Sequence, residues 1–206
     1  MNGQEMNARA LRVGLTGGLA SGKSTVSQWL RDAGFEVIDA DRLVAELYQP
    51  GGEGATAVRD LFGPEMLDER GAVDHAKVAA RVFSDPAARA SLEAAVHPLV
   101  RKRFMEIAAQ AKGVVLLEAT LLVEAGYGPG FDLIVTVEAP CELRLERAIA
   151  RGVNPDSARA RLLAQGDGEV RRRAAHRLID NSGDERHLRR QVDEMIEELR
   201  RLAAGR

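Results

Sequence analysis

The chain has 206 residues, enough for one sizeable hydrophobic core but short for two independent domains. Its 29 Lys and Arg residues nearly balance 31 Asp and Glu residues, so a formal net charge of -2 gives no electrostatic case for a nucleic-acid or membrane partner. Cys141 is the single cysteine, which excludes an internal disulfide and a cysteine metal cluster. Residues 1–10 are polar, and no apolar run reaches the roughly 18 residues that a membrane helix needs, so we expect a cytoplasmic protein.

A glycine-rich stretch follows the first predicted strand. Residues 17–24 read Gly-Gly-Leu-Ala-Ser-Gly-Lys-Ser and fit the phosphate-binding pattern G-x-x-x-x-G-K-[ST]. The apolar run 11–16 predicts a buried strand before the loop, and residues 25–31 predict a helix after it. Because the motif requires this strand and this helix, the sequence predicts a nucleoside triphosphate site.

Each residue type in this phosphate loop (residues 17–25) suits an anionic ligand. Glycines let successive backbone N–H groups point at phosphate oxygens, and the following helix adds its positive N-terminal end. Lys23 is expected to reach the outer phosphates, and Thr25 an inner phosphate. The Ser24 hydroxyl suits Mg²⁺, which prefers oxygen ligands. The other loop residues expected to contact the nucleoside triphosphate are Gly18, Leu19, Ala20, Ser21 and Gly22.

Strands alternating with helices predict an α/β fold, a doubly wound parallel sheet. Further strands are expected at residues 35–38, 114–118 and 131–137, with a brief apolar patch at Leu178-Ile179. Residues 1–41, 113–146 and 174–206 would form the nucleotide-binding core.

Two segments are expected to interrupt that core. Residues 42–112 contain glycine and proline breaks between short amphipathic stretches and predict a helical insertion. Within it, Pro98 is expected to end one helix after His97 and to start another that runs to Ala111. Residues 147–173 lie between glycines and predict a mobile helical lid whose arginines reach a triphosphate. Arg144, Arg147 and Arg151 recur at helical spacing near one face of the preceding helix.

Two carboxylates follow the second predicted strand. Asp39 and Asp41 lie after its carboxyl end, the edge of a parallel sheet at which ligands bind, so we expect them to face the terminal phosphate. For either aspartate alone, an N-cap of the helix predicted over residues 42–48 is an equally good role, although both cannot occupy the same cap position. His97, which precedes a proline, fits a structural role as well as a ligand contact.

Three classes of phosphate-loop protein compete. A GTPase switch should carry an N-K-x-D motif, which this sequence lacks. A mechanical or regulatory ATPase normally has an acidic residue at the end of an apolar strand, and Glu118 fits that position. The small chain, however, offers no obvious partner surface for such an ATPase. A small-molecule kinase needs a phosphate loop, an acceptor-binding insertion, a base near the acceptor hydroxyl and a cationic lid that excludes water. The sequence has candidates for all four.

Several motifs, in this order, resemble the dephospho-coenzyme A kinase family over nearly the whole chain. Residues 15–25 resemble the family's opening, and 37–41 (Val-Ile-Asp-Ala-Asp) its second-strand end. Residues 97–100 (His-Pro-Leu-Val) resemble its His-Pro motif, and 121–124 (Leu-Leu-Val-Glu) a segment that usually follows a proline. Later landmarks are Arg147, Arg151, Gln165 and the run from Ala175 to Gly183.

The resemblance implies transfer of the ATP γ-phosphoryl group to the 3′-hydroxyl of dephospho-coenzyme A, the last step of coenzyme A synthesis. It also implies site roles for individual residues. Asp41 would accept or orient the proton of the acceptor hydroxyl, and Asp39 would support it through Mg²⁺ and water. Asn181 would contact the adenine side of ATP, although it also fits a turn residue. The implied catalytic residues are Asp41, Lys23 and Arg147. Arg147 and Asn181 join the loop residues as implied ATP-binding residues. The implied acceptor-binding residues are Asp41, His97 and Leu122.

Two residues depart from the family pattern. Thr120 stands where the family usually has proline, and Glu118 where many members have aspartate. Both lie at the turn after the central strand, which frames the acceptor in the family, so the departures concern acceptor affinity more than activity.

The alternative function is a kinase of the same architecture for another nucleoside or nucleotide, followed by an ATP-dependent binding module that transfers nothing. Preference for dephospho-coenzyme A over adenosine or AMP would separate the two kinases. Under the first reading the partners are ATP and dephospho-coenzyme A, with Mg²⁺ as cofactor and with no nucleic acid or membrane. Both a monomer and a small homo-oligomer fit the sequence.

Overall fold

A computed structural model describes residues 9–126 and 128–206. Most of the polar segment at residues 1–10, on which the expected location partly rests, lies outside the described residues. The strands are β1 Leu11–Thr16, β2 Glu36–Asp39, β3 Val114–Glu118, β4 Leu133–Glu138 and β5 Arg177–Asp180. They form one sheet in the order β2-β3-β1-β4-β5, so the first strand of the chain lies at the centre.

The central strands are parallel and buried on both faces. β1 pairs with β3 and with β4, and β4 pairs with β5, all in parallel register. Every residue of β3 and β4 is buried, which explains why their sequences are continuous apolar runs without alternation. The predicted parallel sheet with flanking helices is confirmed.

Nine helices lie between or after these strands in the described ranges. They are α1 Lys23–Asp32, α2 Ala40–Leu47, α3 Glu53–Phe62, α4 His75–Ser84, α5 Pro86–Gln110, α6 Cys141–Ala150, α7 Pro155–Ala164, α8 Glu169–Ala174 and α9 Glu185–Ala204. Side chains of Asp39, Asp74, Asn154 and Asp184 accept backbone hydrogen bonds at helix starts. None of the helices in the described part of the chain is both long and apolar enough to cross a membrane.

The chain divides into two compact units. One consists of the segment up to Ile38 together with Ala108–Arg206, and the other of Asp39–Ile107. In the first unit, α1 and α9 pack through apolar side chains into the same core as the strands, with Leu30, Val192 and Leu199 fully buried. The second unit contains α2, α3, α4 and most of α5. The assignment of residues 42–112 to acceptor binding and of 147–173 to a lid stays a prediction.

The helix that carries His97 is continuous. α5 runs from Pro86 to Gln110 with Pro98 inside it, so the prediction of a break after His97 is wrong. An interior proline removes one backbone hydrogen bond and crowds the preceding turn, at a cost of about 3 kcal/mol. Val96 and Val100 on either side of Pro98 are buried. Burial of this apolar face outweighs the local cost of the proline. The sequence rule that places a helix end before proline considers only adjacent residues and leaves this burial out.

The substitution Pro98→Ala should therefore raise the free energy of unfolding by about 1–3 kcal/mol, because alanine restores the missing N–H donor. Urea denaturation measures the change. Pro86→Ala is the matched control: Pro86 is also exposed but occupies the first helical position, where proline is favourable, and should give no gain. A loss of stability in Pro98→Ala would indicate that Pro98 begins a separate helix.

Candidate functional site

The phosphate loop connects β1 to α1, as the sequence predicted. Gly22 is the N-cap of α1 and has a left-handed backbone with φ of 101°. Ala20 is also left-handed, with φ of 56°, and no other described residue except glycine has a positive φ. For a residue with a Cβ this conformation costs about 1–2 kcal/mol. The surrounding contacts must therefore hold the loop in shape.

Lys23 is fixed at the end of the neighbouring strand. Its Nζ atom lies 2.8 Å from Oε1 of Glu118, and an Arg31 nitrogen lies 3.5 Å from Oε2 of the same carboxylate. Burial raises the pKa of Glu118, but the hydrogen bond from Lys23 and the positive charges of Lys23 and Arg31 together hold it below its ordinary value. Glu118 is thus ionised, and it aims the Lys23 ammonium, which has further N–H donors for a phosphate.

Of the two departures from the family pattern, Glu118 is part of this ion pair and Thr120 follows it by two residues. The Thr16 hydroxyl donates to the carbonyl of Thr120 over 3.1 Å, and the Ala119 N–H donates to the carbonyl of Leu15 over 3.0 Å. The turn after β3 is thereby fastened to the end of β1. Since residue 120 contributes its carbonyl to this bond, the proline usual in the family would offer the same acceptor.

Two residues assigned to ATP by resemblance contact the loop or each other. The Asn181 Nδ2 atom donates to the Ser21 carbonyl over 2.8 Å, and Arg147 donates to the Asn181 carbonyl over 3.0 Å. A Cβ at Gly22 would come within 2.0 Å of Asn181 Nδ2, so glycine is required there for space as well as conformation. Asn181 is buried and supports the loop backbone, while its contact with ATP stays a prediction.

Two further loop contacts were not predicted from the sequence. Arg144 donates through Nε to the Leu19 carbonyl over 2.9 Å and through Nη2 to Oε1 of Gln165 over 2.9 Å. The same Gln165 oxygen accepts the Leu19 N–H over 2.8 Å. Helical spacing located Arg144 on α6, and resemblance marked Gln165, but neither signal names a partner more than a hundred residues away.

The arginines of α8 form ion pairs with nearby carboxylates. Arg171 is fully buried, with Nη1 2.7 Å from Glu124 and Nε 3.1 Å from Glu138. Arg172 and Arg173 both pair with Glu169 of their own helix. Arg171 therefore ties α8 to the end of β4 and to the turn after β3.

Asp39 and Asp41 lie in the second compact unit. The Asp39 Oδ1 atom accepts the Asp41 N–H over 2.8 Å and caps α2. Of the two roles left open by the sequence, the cap is the one observed for Asp39, and it leaves the second carboxylate oxygen for another partner. Asp41 is exposed in the first turn of α2. Its catalytic role stays a prediction.

The other acceptor residues differ in exposure. His97 is partly exposed, and burial lowers its pKa, an effect that the nearby charge of Glu93 partly offsets. A neutral imidazole suits hydrogen bonding better than charge pairing at pH 7. Leu122 is fully buried, and a Cβ on Gly14 of β1 would meet its side chain at 3.0 Å. Any effect of Leu122 on the acceptor would come from supporting the turn.

The donor chemistry at the start of α1 fits Mg²⁺. Ser24 is exposed in the first turn, and its hydroxyl oxygen is a hard ligand. Mg²⁺ takes few protein oxygens and completes its octahedron with phosphate oxygens and water. Ser24 is thus a suitable single protein ligand for a metal that arrives with a triphosphate.

The ion pair of Glu118 predicts a pH dependence of stability. Because its pKa is lowered in the folded state, the unfolded chain takes up the proton first, and the stabilisation is lost as pH falls through the folded pKa. Urea denaturation between roughly pH 7 and pH 3 should show a steeper loss for the unsubstituted chain than for Glu118→Gln. Asp193→Asn, which removes an exposed partner of Arg189, is the control and should keep the steep slope. Equal slopes for the chain and Glu118→Gln would contradict the assignment.

Comparison with known proteins agrees with this geometry. The family model for dephospho-CoA kinase matches residues 11–187. A dephospho-CoA kinase of Streptomyces avermitilis is 42% identical over 92% of this chain and 94% of that protein. The crystal structure of TT1252 from Thermus thermophilus has a TM-score of 0.77 and 35% identity, covering 93% of this chain and 98% of that one. Dephospho-CoA kinase from Campylobacter jejuni has a TM-score of 0.69 and 26% identity, covering 94% and 98%. The chain therefore belongs to the dephospho-CoA kinase family.

Proposed function

We propose that this chain transfers the γ-phosphoryl group of ATP to the 3′-hydroxyl of dephospho-coenzyme A, giving coenzyme A and ADP. The acceptor oxygen forms a bond to the γ-phosphorus as the bond from that phosphorus to the bridging oxygen breaks. ADP leaves with the bonding electrons, and the hydroxyl proton passes to a base. The observation that carries the proposal is the pre-shaped phosphate loop beside the Lys23–Glu118 ion pair, in a chain that belongs to this family.

ATP binding falls to the loop and its first helical turn. Backbone N–H groups of the phosphate loop, apart from the Leu19 N–H that Gln165 accepts, and the N-terminal end of α1 would hold the phosphates, and Lys23 would bind the outer ones. Mg²⁺, held by Ser24 with Asp39 as a supporting carboxylate, would neutralise phosphate charge. The Lys23–Glu118 pair supports this assignment because it keeps the ammonium at the sheet edge.

The acceptor side is assigned to the second unit and to the turn after β3. Asp41 would orient the acceptor hydroxyl and receive its proton, and His97 would hydrogen-bond the acceptor as a neutral imidazole. The lowered pKa of His97 supports that uncharged role. Leu122 would act indirectly, by fixing the turn that frames the acceptor.

Arg147 is the cation assigned to the developing charge on the transferred phosphoryl group. Charge spreads over its equatorial oxygens in the transition state, and one well-placed arginine can change the rate by roughly 10³-fold or more. In the structure Arg147 donates to the carbonyl of Asn181, whose side chain reaches the loop. This contact supports a position near the phosphates, which closure of residues 147–173 would complete.

The reaction itself is tested by ADP release from Mg-ATP with and without dephospho-coenzyme A. We expect strong stimulation by dephospho-coenzyme A and little by AMP or adenosine, because neither carries the pantetheine arm. Preference for AMP or adenosine would instead support a kinase of the same architecture for another acceptor. ATP binding without stimulation by any acceptor would indicate a binding module.

The base assignment is tested by Asp41→Asn, which keeps the shape of the side chain and removes its charge. We expect kcat to fall by about 10²-fold or more with little change in the KM for ATP. Asp60→Asn removes an exposed carboxylate from α3 in the same unit and serves as the control. A kcat for Asp41→Asn within about threefold of the unsubstituted chain would exclude Asp41 as the base.

We also propose that the protein works in the cytoplasm, as a monomer or a small homo-oligomer. Three features support this location. The proposed substrates are ATP and a small-molecule acceptor, and the single cysteine is consistent with a reducing compartment.

A further inference from the structure

We propose that Arg144 and Gln165 are positioning residues that clasp the backbone of Leu19 and hold the phosphate loop in its ATP-binding shape. Nothing in the family comparison assigns them this role. The proposal deepens the proposed function because it concerns the same nucleotide site, and it rests on that function only for the turnover measurements below.

The clasp fixes both polar groups of one peptide segment. Gln165 accepts the Leu19 N–H, Arg144 donates to the Leu19 carbonyl, and Arg144 also donates to the Gln165 oxygen, with distances of 2.8 to 2.9 Å. This closed set of three hydrogen bonds leaves Leu19 little freedom to rotate. Arg144 is only 3% exposed, so water cannot readily replace these bonds.

The position of the clasp matches the strained part of the loop. Ala20 has a left-handed backbone, and it lies between Leu19, held by the clasp, and Ser21, whose carbonyl is held by Asn181. A left-handed alanine relaxes unless its neighbours are fixed on both sides. We infer that releasing Leu19 lets residues 19–21 change conformation and misdirects the N–H groups intended for phosphate.

The clasp also explains a glycine that the motif does not require. Gly18 occupies a variable position of the phosphate-binding pattern and has no positive φ. A Cβ at Gly18 would lie 2.1 Å from Arg144 Nη2 and 3.0 Å from Gln165 Oε1. Glycine is therefore needed at residue 18 to admit the arginine, and this requirement should disappear when the arginine is removed.

Arg144 performs this task as a buried cation without a contacting carboxylate. In the described ranges, no carboxylate oxygen lies within 4.0 Å of its guanidinium nitrogens. Burial and then the charge of Arg171 lower its pKa, while Glu138 acts in the opposite direction. A planar guanidinium donates to Leu19 and Gln165 at once, whereas a lysine ammonium keeps the charge without that fork.

The clasp connects the loop to the segment predicted to be a lid. Gln165 is the C-cap of α7, directly before Gly166 with its φ of 64°, and Arg144 belongs to α6. The end of α7 and the loop are therefore fixed together through one carbonyl oxygen. A displacement of α7 at this point breaks the two hydrogen bonds that the Gln165 oxygen accepts, one from the Leu19 N–H and one from Arg144.

The first test compares Arg144→Ala, Arg144→Lys and Gln165→Leu with Arg200→Ala, which removes an exposed arginine of α9 that pairs with Glu197 of its own helix. We expect kcat/KM for Mg-ATP to fall about 10- to 100-fold in the first three variants, with an unchanged KM for the acceptor. Arg200→Ala should match the unsubstituted chain. Equal losses for ATP and acceptor, or full activity in Arg144→Lys, would overturn the proposal.

The second test uses Gly18→Ala in the unsubstituted chain and in the Arg144→Ala background. Gly18→Ala should lower ATP affinity strongly in the unsubstituted chain and add little in the Arg144→Ala background, because the clash is then gone. The measurement is the Kd of a fluorescent ATP analogue in the absence of acceptor, with circular dichroism to verify folding. Equal penalties for Gly18→Ala in both backgrounds would overturn the proposal.

The Kd measurements separate this proposal from the proposed function. If dephospho-coenzyme A is not phosphorylated but the Gly18 and Arg144 substitutions are coupled in ATP-analogue affinity, the function fails and the clasp stands. If dephospho-coenzyme A is phosphorylated and the two substitutions act independently, the clasp fails and the function stands.

Discussion

The structure depends on keeping a strained backbone loop open to an anion. A phosphate site made of N–H groups works when those groups already point at the ligand, since reorganising them would cost binding energy. Left-handed Ala20 and Gly22 give the loop its curvature, and at Ala20, which has a Cβ, that conformation is not one the chain adopts by local preference. Side chains from α6, the end of α7 and the residue after β5 supply the constraint.

The parallel sheet brings those side chains together. The carboxyl ends of parallel strands lie at one edge, and β1 occupies the centre of the sheet with β3 and β4 beside it. Glu118 at the end of β3 is in register with Leu15 of β1, and Asp180 at the end of β5 is in register with Glu138 of β4. Residues distant in sequence therefore surround the phosphate loop because their strands end at the same level.

Local patterns predicted the sheet and the loop, but not the contacts between side chains. The strands were visible because buried parallel strands are continuous apolar runs, and the loop was visible because its spacing is fixed. Pro98 was misjudged because its effect depends on burial along α5. The roles of Arg144, Gln165 and Asn181 at the loop could not be derived, since their partners lie 125 to 160 residues away and a single sequence contains no signal for such pairs.

The central claim is that this anion site serves phosphoryl transfer to a ribose hydroxyl. The most direct measurement is mass spectrometry and phosphorus nuclear magnetic resonance of the product formed from Mg-ATP and dephospho-coenzyme A. The account predicts an acceptor heavier by one phosphoryl group, with a new phosphate monoester on the 3′ oxygen of the ribose. An unmodified acceptor, or a phosphate at another position, would contradict it.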